Sequence, residues 1–144
     1  MIAVDTNILV YAHREDSTFY KKAEHILTEL AESKKDWAIP WPCVHEFLAI
    51  VTHPRIYKPA TSLEMALCQL DCWFESPGLH LIGELYDYWE ILKDLLNSAK
   101  LLGPQIHDAR IVALCIQNGV DTLWSADRDF SRIGKLKIKN PLIE

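Results

Sequence analysis

Apolar residues recur along the chain in two alternating patterns: short unbroken runs of β-prone residues, each followed by a longer stretch whose apolar positions share one helical stripe. The first run, Ile2-Ala3-Val4, stops at Asp5 and predicts a buried strand. Ile8, Leu9, Val10, Tyr11 and Ala12 predict a helix, and a second helix covers about 18–33, with Ala23, Ile26, Leu27 and Leu30 on one side. Trp37-Ala38-Ile39-Pro40 reads as the next strand. Pro42 suits the first position of the helix after it, where a missing N–H costs nothing, and Val44, Phe47, Leu48 and Val51 form its apolar side.

Pro54 and Pro59 place residues 53–60 in a loop, after which Ser62 resembles an N-cap. The helix it opens carries Met65, Ala66, Leu70 and Phe74 and ends near Pro77-Gly78. Leu79-His80-Leu81-Ile82 predicts a third strand. Helices over about 85–101, with Trp89, Leu92 and Leu96 inward, and over 106–117, with Gly119 as C-cap, follow. Thr122-Leu123-Trp124-Ser125 and Leu136-Lys137-Ile138-Lys139 complete the strands. Short apolar strands alternating with helices predict an α/β fold with a parallel sheet of about four or five strands, covered on both faces. No linker, repeat or low-complexity tract interrupts the pattern, so one domain is expected over residues 1–144.

Composition narrows the function classes. Acidic residues outnumber Lys and Arg by 20 to 15, and this net charge of −5 argues against a passive nucleic-acid coat, which draws its affinity from basic side chains. It leaves room for an enzyme that meets nucleic acid through bound cations. The chain shows neither a basic-then-apolar leader nor an apolar run long enough for a membrane span. Cys43, Cys68, Cys72 and Cys115 contain no Cys-x-x-Cys pair and read as buried free thiols. Together these features predict a cytoplasmic protein.

The candidate chemistry lies where strands end. In an open parallel sheet, ligands bind outside the carboxyl ends of the strands. Asp5 follows the first strand, Glu46 lies early in the helix after the second, Asp108 opens a later helix, and Asp127 and Asp129 follow the fourth strand. If the fold gathers them, their mutual repulsion calls for a cation, and oxygen-only ligands select Mg²⁺ or Mn²⁺ over zinc. Such a site suits phosphodiester hydrolysis. Each acid also has a purely structural reading: Asp5 as a helix cap, Glu46 and Asp108 as early-helix acids favoured by the dipole, Asp127 and Asp129 as turn and capping residues.

These segments resemble the PIN-domain ribonucleases, and among them the VapC-type toxins of prokaryotic toxin–antitoxin pairs. The likeness runs through Val4-Asp5-Thr6-Asn7, His45-Glu46-Phe47, Thr52-His53-Pro54-Arg55, His107-Asp108-Ala109, Ser125-Ala126-Asp127-Arg128-Asp129-Phe130 and Asn140-Pro141-Leu142, in the family's order. Ser125 stands where relatives often carry Thr, and Ile133-Gly134-Lys135 replaces a common Phe-Pro-Gly. The resemblance implies a three-layer α/β/α PIN-like fold and Mg²⁺- or Mn²⁺-dependent hydrolysis of RNA to a 5′-phosphate and a 3′-hydroxyl. It also implies a cognate protein antitoxin and a homodimer. Asp5, Glu46, Asp108, Asp127 and Asp129 take the metal-binding and catalytic positions, and Thr6, Asn7 and Ser125 the polar positions that orient carboxylates or waters.

Arg14, Arg55, Lys58, Arg110 and Arg128 lie in or beside these segments and are candidates for RNA phosphates, with solvated surface charge as the competing reading. Two other functions remain open from the residues themselves. One is a phosphatase with Asp5 as nucleophile, although no second aspartate follows two positions on. The other is a non-catalytic PIN-like binding module.

Overall fold

The computed structural model describes residues 1–143. Five strands, β1 (Ile2–Val4), β2 (Trp37–Pro40), β3 (Leu79–Ile82), β4 (Thr122–Trp124) and β5 (Lys137–Lys139), form one all-parallel sheet in the order β3-β2-β1-β4-β5. The strands are short and dominated by apolar residues, as suits a sheet buried on both faces. From β1 the chain steps outward to β2 and β3, then returns to the other side of β1 for β4 and β5. The order therefore reverses between β1 and β4, and that reversal creates a crevice at the carboxyl ends of these two strands.

Helices α1 (Thr6–His13), α2 (Tyr20–Glu32), α3 (Trp41–Val51) and α4 (Leu63–Phe74) occupy the first two crossovers and pack as one layer, while α5 (Tyr88–Ala99) and α6 (Gln105–Gln117) fill the return crossover and pair on the other side. Right-handed crossovers running in opposite directions across a sheet put their helices on opposite faces, which gives the α/β/α sandwich. Ala3, Val4, Trp37, Ile39 and Leu123 fill the middle layer; Ile8, Leu27 and Phe47 press on it from one side and Val112 and Leu114 from the other. The Phe47 and Trp73 rings meet edge-on at 5.3 Å, which docks α4 against α3.

Local signals explain most boundaries. Ser62 caps α4 by accepting from the Met65 N–H at 3.2 Å. Gly119, with φ +76°, lies just past the α6 cap residue Asn118 and takes the left-handed turn expected after a helix C-terminus. Four expectations shift. Pro42 is the second residue of α3, behind Trp41. α5 starts at Tyr88, three residues later than its periodicity suggests, because Asp87 adopts a left-handed φ of 69°. Leu95 is its buried residue, while Trp89 faces solvent. α4 turns Ala66, Leu70 and Trp73 inward, which leaves Met65, Cys68 and Cys72 exposed; of the four cysteines only Cys43 and Cys115 are buried.

Gly78 marks a close approach that the site depends on indirectly, since it joins the lead-ins of β2 and β3. Its carbonyl accepts from the Trp37 N–H at 3.0 Å, and a Cβ there would lie 2.1 Å from the Lys35 carbonyl oxygen. Gly78→Ala is expected to destabilise the fold by about 1–3 kcal/mol, as overpacking against backbone does. Urea unfolding measures this, and an unchanged midpoint would show that the contact yields at no cost.

Candidate metal centre

The crevice between β1 and β4 is built around Asp5. Parallel pairing of Val4 with Trp124 and a 2.9 Å bond from the Asp5 N–H to the Trp124 carbonyl bring the ends of the two strands side by side. The Asp5 side chain, 6% exposed, then receives donors on both oxygens. Oδ1 accepts from the Thr6 N–H at 2.8 Å and from the Cys43 thiol at 3.6 Å; Oδ2 accepts from the Ser125 hydroxyl at 2.7 Å and the Asn7 amide at 3.3 Å. Asp5 thus caps α1 while also pointing into the crevice, so its two sequence readings are compatible.

The remaining acids come from three other elements. Glu46, on α3, accepts from the Thr6 hydroxyl at 2.9 Å, so the residue after Asp5 holds the second carboxylate. Asp108 lies in the first turn of α6. Asp127 caps the short 3-10 helix Arg128–Arg132 by accepting from the Asp129 N–H at 2.9 Å, while its own N–H donates to Ser125 Oγ at 3.0 Å. Asn7 ties the two sides together: its carbonyl oxygen accepts from the Ala126 N–H at 3.1 Å.

Asp108, Asp127 and Asp129 each place a carboxylate oxygen so that the three lie within 4.8 Å of one another. Asp5, Glu46, Asp108 and Asp127 line one cleft of about 180 Å³, with Ile50, Ile111 and Phe130 as apolar wall and His107 at its side. The acids press on one another. Partial burial, then the charges of Asp127, Asp5, Asp129 and Glu46, push the Asp108 carboxyl up to about 6. Burial raises Asp5 as well, against the lowering effect of its Ser125 and Thr6 hydrogen bonds, with Glu46 adding to the rise. Burial first, then Asp5, drives the Cys43 thiol well above its ordinary value. Clustered carboxylates suit a hard divalent cation, and the donor set fits one.

The basic candidates fall in different places. Arg128 lies between Asp127 and Asp129 in sequence and is exposed. Arg110, on α6, faces Glu84 at 3.7 Å. Arg14 lies past the far end of α1, roughly 12 Å along its axis from Thr6. There it pairs with Asp16 at 2.6 Å, donates to the Pro59 carbonyl and stacks 4.2 Å over Tyr57. Arg55 and Lys58 are exposed on the loop that Arg14 fastens. Cys43 is the neighbour of the acids that the sequence pattern missed. Its three-residue spacing from Glu46 was the available signal, but its relation to Asp5 is purely tertiary.

Comparison with known proteins places this geometry in a family. Residues 2–136 match the PIN domain, and the chain belongs to that family. It is similar to Ribonuclease VapC48 of Mycobacterium tuberculosis, with 28% identity over 95% of this chain and 94% of the relative. Ribonuclease VapC43 of the same organism is 30% identical over 99% of this chain and 96% of its own length. Among solved structures, VapBC2 from Rickettsia felis bound to a DNA fragment from their promoter shares the fold with a TM-score of 0.66 and 22% identity, covering 96% of this chain and 98% of that one. No helix among the described residues is long and apolar enough to cross a membrane.

The raised Asp108 carboxyl has a consequence for stability. The folded state holds a proton between an ordinary aspartate value of 3.8 and about 6 that the unfolded chain releases. Its contribution is therefore fully present below pH 4 and is lost as pH rises through 6. In chelator, Asp108→Asn is expected to raise the melting temperature at pH 7 and to leave it nearly unchanged at pH 4. A variant less stable than wild type at pH 7 would contradict the repulsion.

Proposed function

We propose that the protein is a metal-dependent endoribonuclease of the VapC type, with Asp5, Glu46, Asp108, Asp127 and Asp129 as its carboxylate centre. The observation that carries the reading is the meeting of acids from four separate elements at the crevice where the strand order reverses. Two relatives that match nearly the whole chain bear the name ribonuclease.

Asp5, Glu46, Asp108, Asp127 and Asp129 would hold the cation, Mg²⁺ or Mn²⁺, which would supply charge neutralisation, polarisation of the scissile phosphate and a lowered pKa for an attacking water. The chain's own residues supply position. Ser125 and the Thr6 N–H fix the Asp5 carboxylate, the Thr6 hydroxyl fixes Glu46, and the Asp129 N–H fixes Asp127. Ile50, Ile111 and Phe130 keep one wall of the cleft dry, which strengthens electrostatic interactions inside it. Arg128, exposed and next in sequence to Asp127, is the candidate for a neighbouring RNA phosphate. Water attack at phosphorus with loss of the 3′ oxygen leaves a 5′-phosphate and a 3′-hydroxyl.

An aspartate nucleophile is disfavoured, because no second aspartate follows Asp5 two positions on. The likeness to VapBC2 supports a protein antitoxin as the partner that restrains the enzyme.

Asp5→Asn is expected to lower Mg²⁺-dependent cleavage of structured RNA by about 10³-fold, the size of several kcal/mol of lost metal-assisted stabilisation. EDTA is expected to abolish wild-type cleavage. Gel assays of labelled RNA read both effects, and cleavage that survives EDTA and the substitution alike would reject the carboxylate mechanism. A protein that binds the cation yet cuts no RNA would instead be a binding module.

A further inference from the structure

We propose that Cys43 is a positioning residue for Asp5, holding its carboxylate from behind while the cleft-facing donor gives way to the cation. The proposal rests on the metal-dependent reading above and assigns a role within that same centre.

Cys43 is the third residue of α3 and is fully buried, yet its sulfur points at a carboxylate oxygen, 3.6 Å from Asp5 Oδ1. A thiol is protonated at neutral pH and therefore donates in this contact. A methyl group in its place would fill space but leave that lone pair facing hydrocarbon, which costs free energy for a buried acceptor. The placement is not incidental to the helix. Cys43 and Glu46 are three apart on α3, so the turn that aims Glu46 at the Thr6 hydroxyl also aims the thiol at Asp5.

The distribution of donors assigns the roles. A carboxylate offers about four lone-pair sites, and Thr6, Cys43, Ser125 and Asn7 each donate to Asp5. A cation must displace one of them. Asn7 lines the cleft and its amide has a second acceptor in Ser125 Oγ at 3.3 Å, so it can release Oδ2 without being left unpaired. Cys43 and Ser125 are buried and lie outside the cleft lining, on the side the cation does not approach. Without the thiol, Oδ1 is held by the Thr6 N–H alone, and the carboxylate plane gains freedom to turn away from the cation.

The test measures Mn²⁺ binding to the full chain by isothermal titration alongside melting temperature. Cys43→Ala is expected to weaken Mn²⁺ binding about tenfold, the lower end for loss of a group that orients a metal ligand. Cys43→Ser, which restores a hydroxyl donor of shorter reach, is expected to bind more tightly than the alanine variant. Leu27→Ala, a core truncation on α2, controls for stability alone and is expected to lower the melting temperature without changing the affinity. Wild-type affinity in Cys43→Ala, equal weakening in Leu27→Ala, or a serine variant no better than alanine would each overturn the role. Loss of Mn²⁺ binding in the wild type would instead defeat the metal-dependent reading and this role with it, whereas binding that ignores Cys43 defeats only the role.

Discussion

The pairing of β1 with β4 is the constraint on which the candidate site depends. Residues 5 and 125 are remote in sequence, and nothing local brings them together. Parallel register between Val4 and Trp124 delivers both just beyond the sheet, where the Ser125 hydroxyl donates to Asp5 at 2.7 Å and the Asp5 N–H closes the ladder on Trp124. Because β1 is also the strand at which the order reverses, the helices on either side diverge and leave a crevice rather than a packed edge. α1 starts at once from Asp5, α3 supplies Glu46 and Cys43, and α6 supplies Asp108 across the gap.

This arrangement sets function against stability. A mostly buried Asp5 and a cluster of three further carboxylates are unfavourable in the metal-free fold, and the upward push on Asp108 is the visible sign of it. The surrounding donors do not remove the repulsion; they fix the orientation of the acids. The overall charge fits this picture. Setting aside the five candidate acids leaves the remaining acidic residues equal in number to Lys and Arg, so the surplus of the chain matches the number of acids at the centre.

Much of this is legible in the sequence. The five strands stand out because short β-prone runs are bounded by turn residues or acids, and the candidate acids because each follows a strand or opens a helix. What the sequence pattern could not decide was tertiary. α4 carries two apolar faces of similar strength, one with Met65 and Cys68, the other with Ala66, Leu70 and Trp73, and only docking of Trp73 on Phe47 selects the second. The late start of α5 depends on the left-handed Asp87, which periodicity does not register. Arg14, basic and near the first motif, is legible in sequence either as a phosphate ligand or as a surface charge. The helix between them carries it away from Asp5, and Asp16, Pro59 and Tyr57 engage it there. Cys43 escaped notice for the opposite reason: a thiol in an apolar stretch reads as core until β1 and β2 are laid side by side.

If these acids share a cation in the crevice between β1 and β4, anomalous diffraction from crystals grown with Mn²⁺ locates it. Density is expected in the cleft, about 2.0–2.2 Å from carboxylate oxygens of Asp5 and of the Asp108, Asp127 and Asp129 cluster. A crevice without anomalous density at saturating Mn²⁺, or an ion bound elsewhere with Asp5 untouched, would contradict a shared cation.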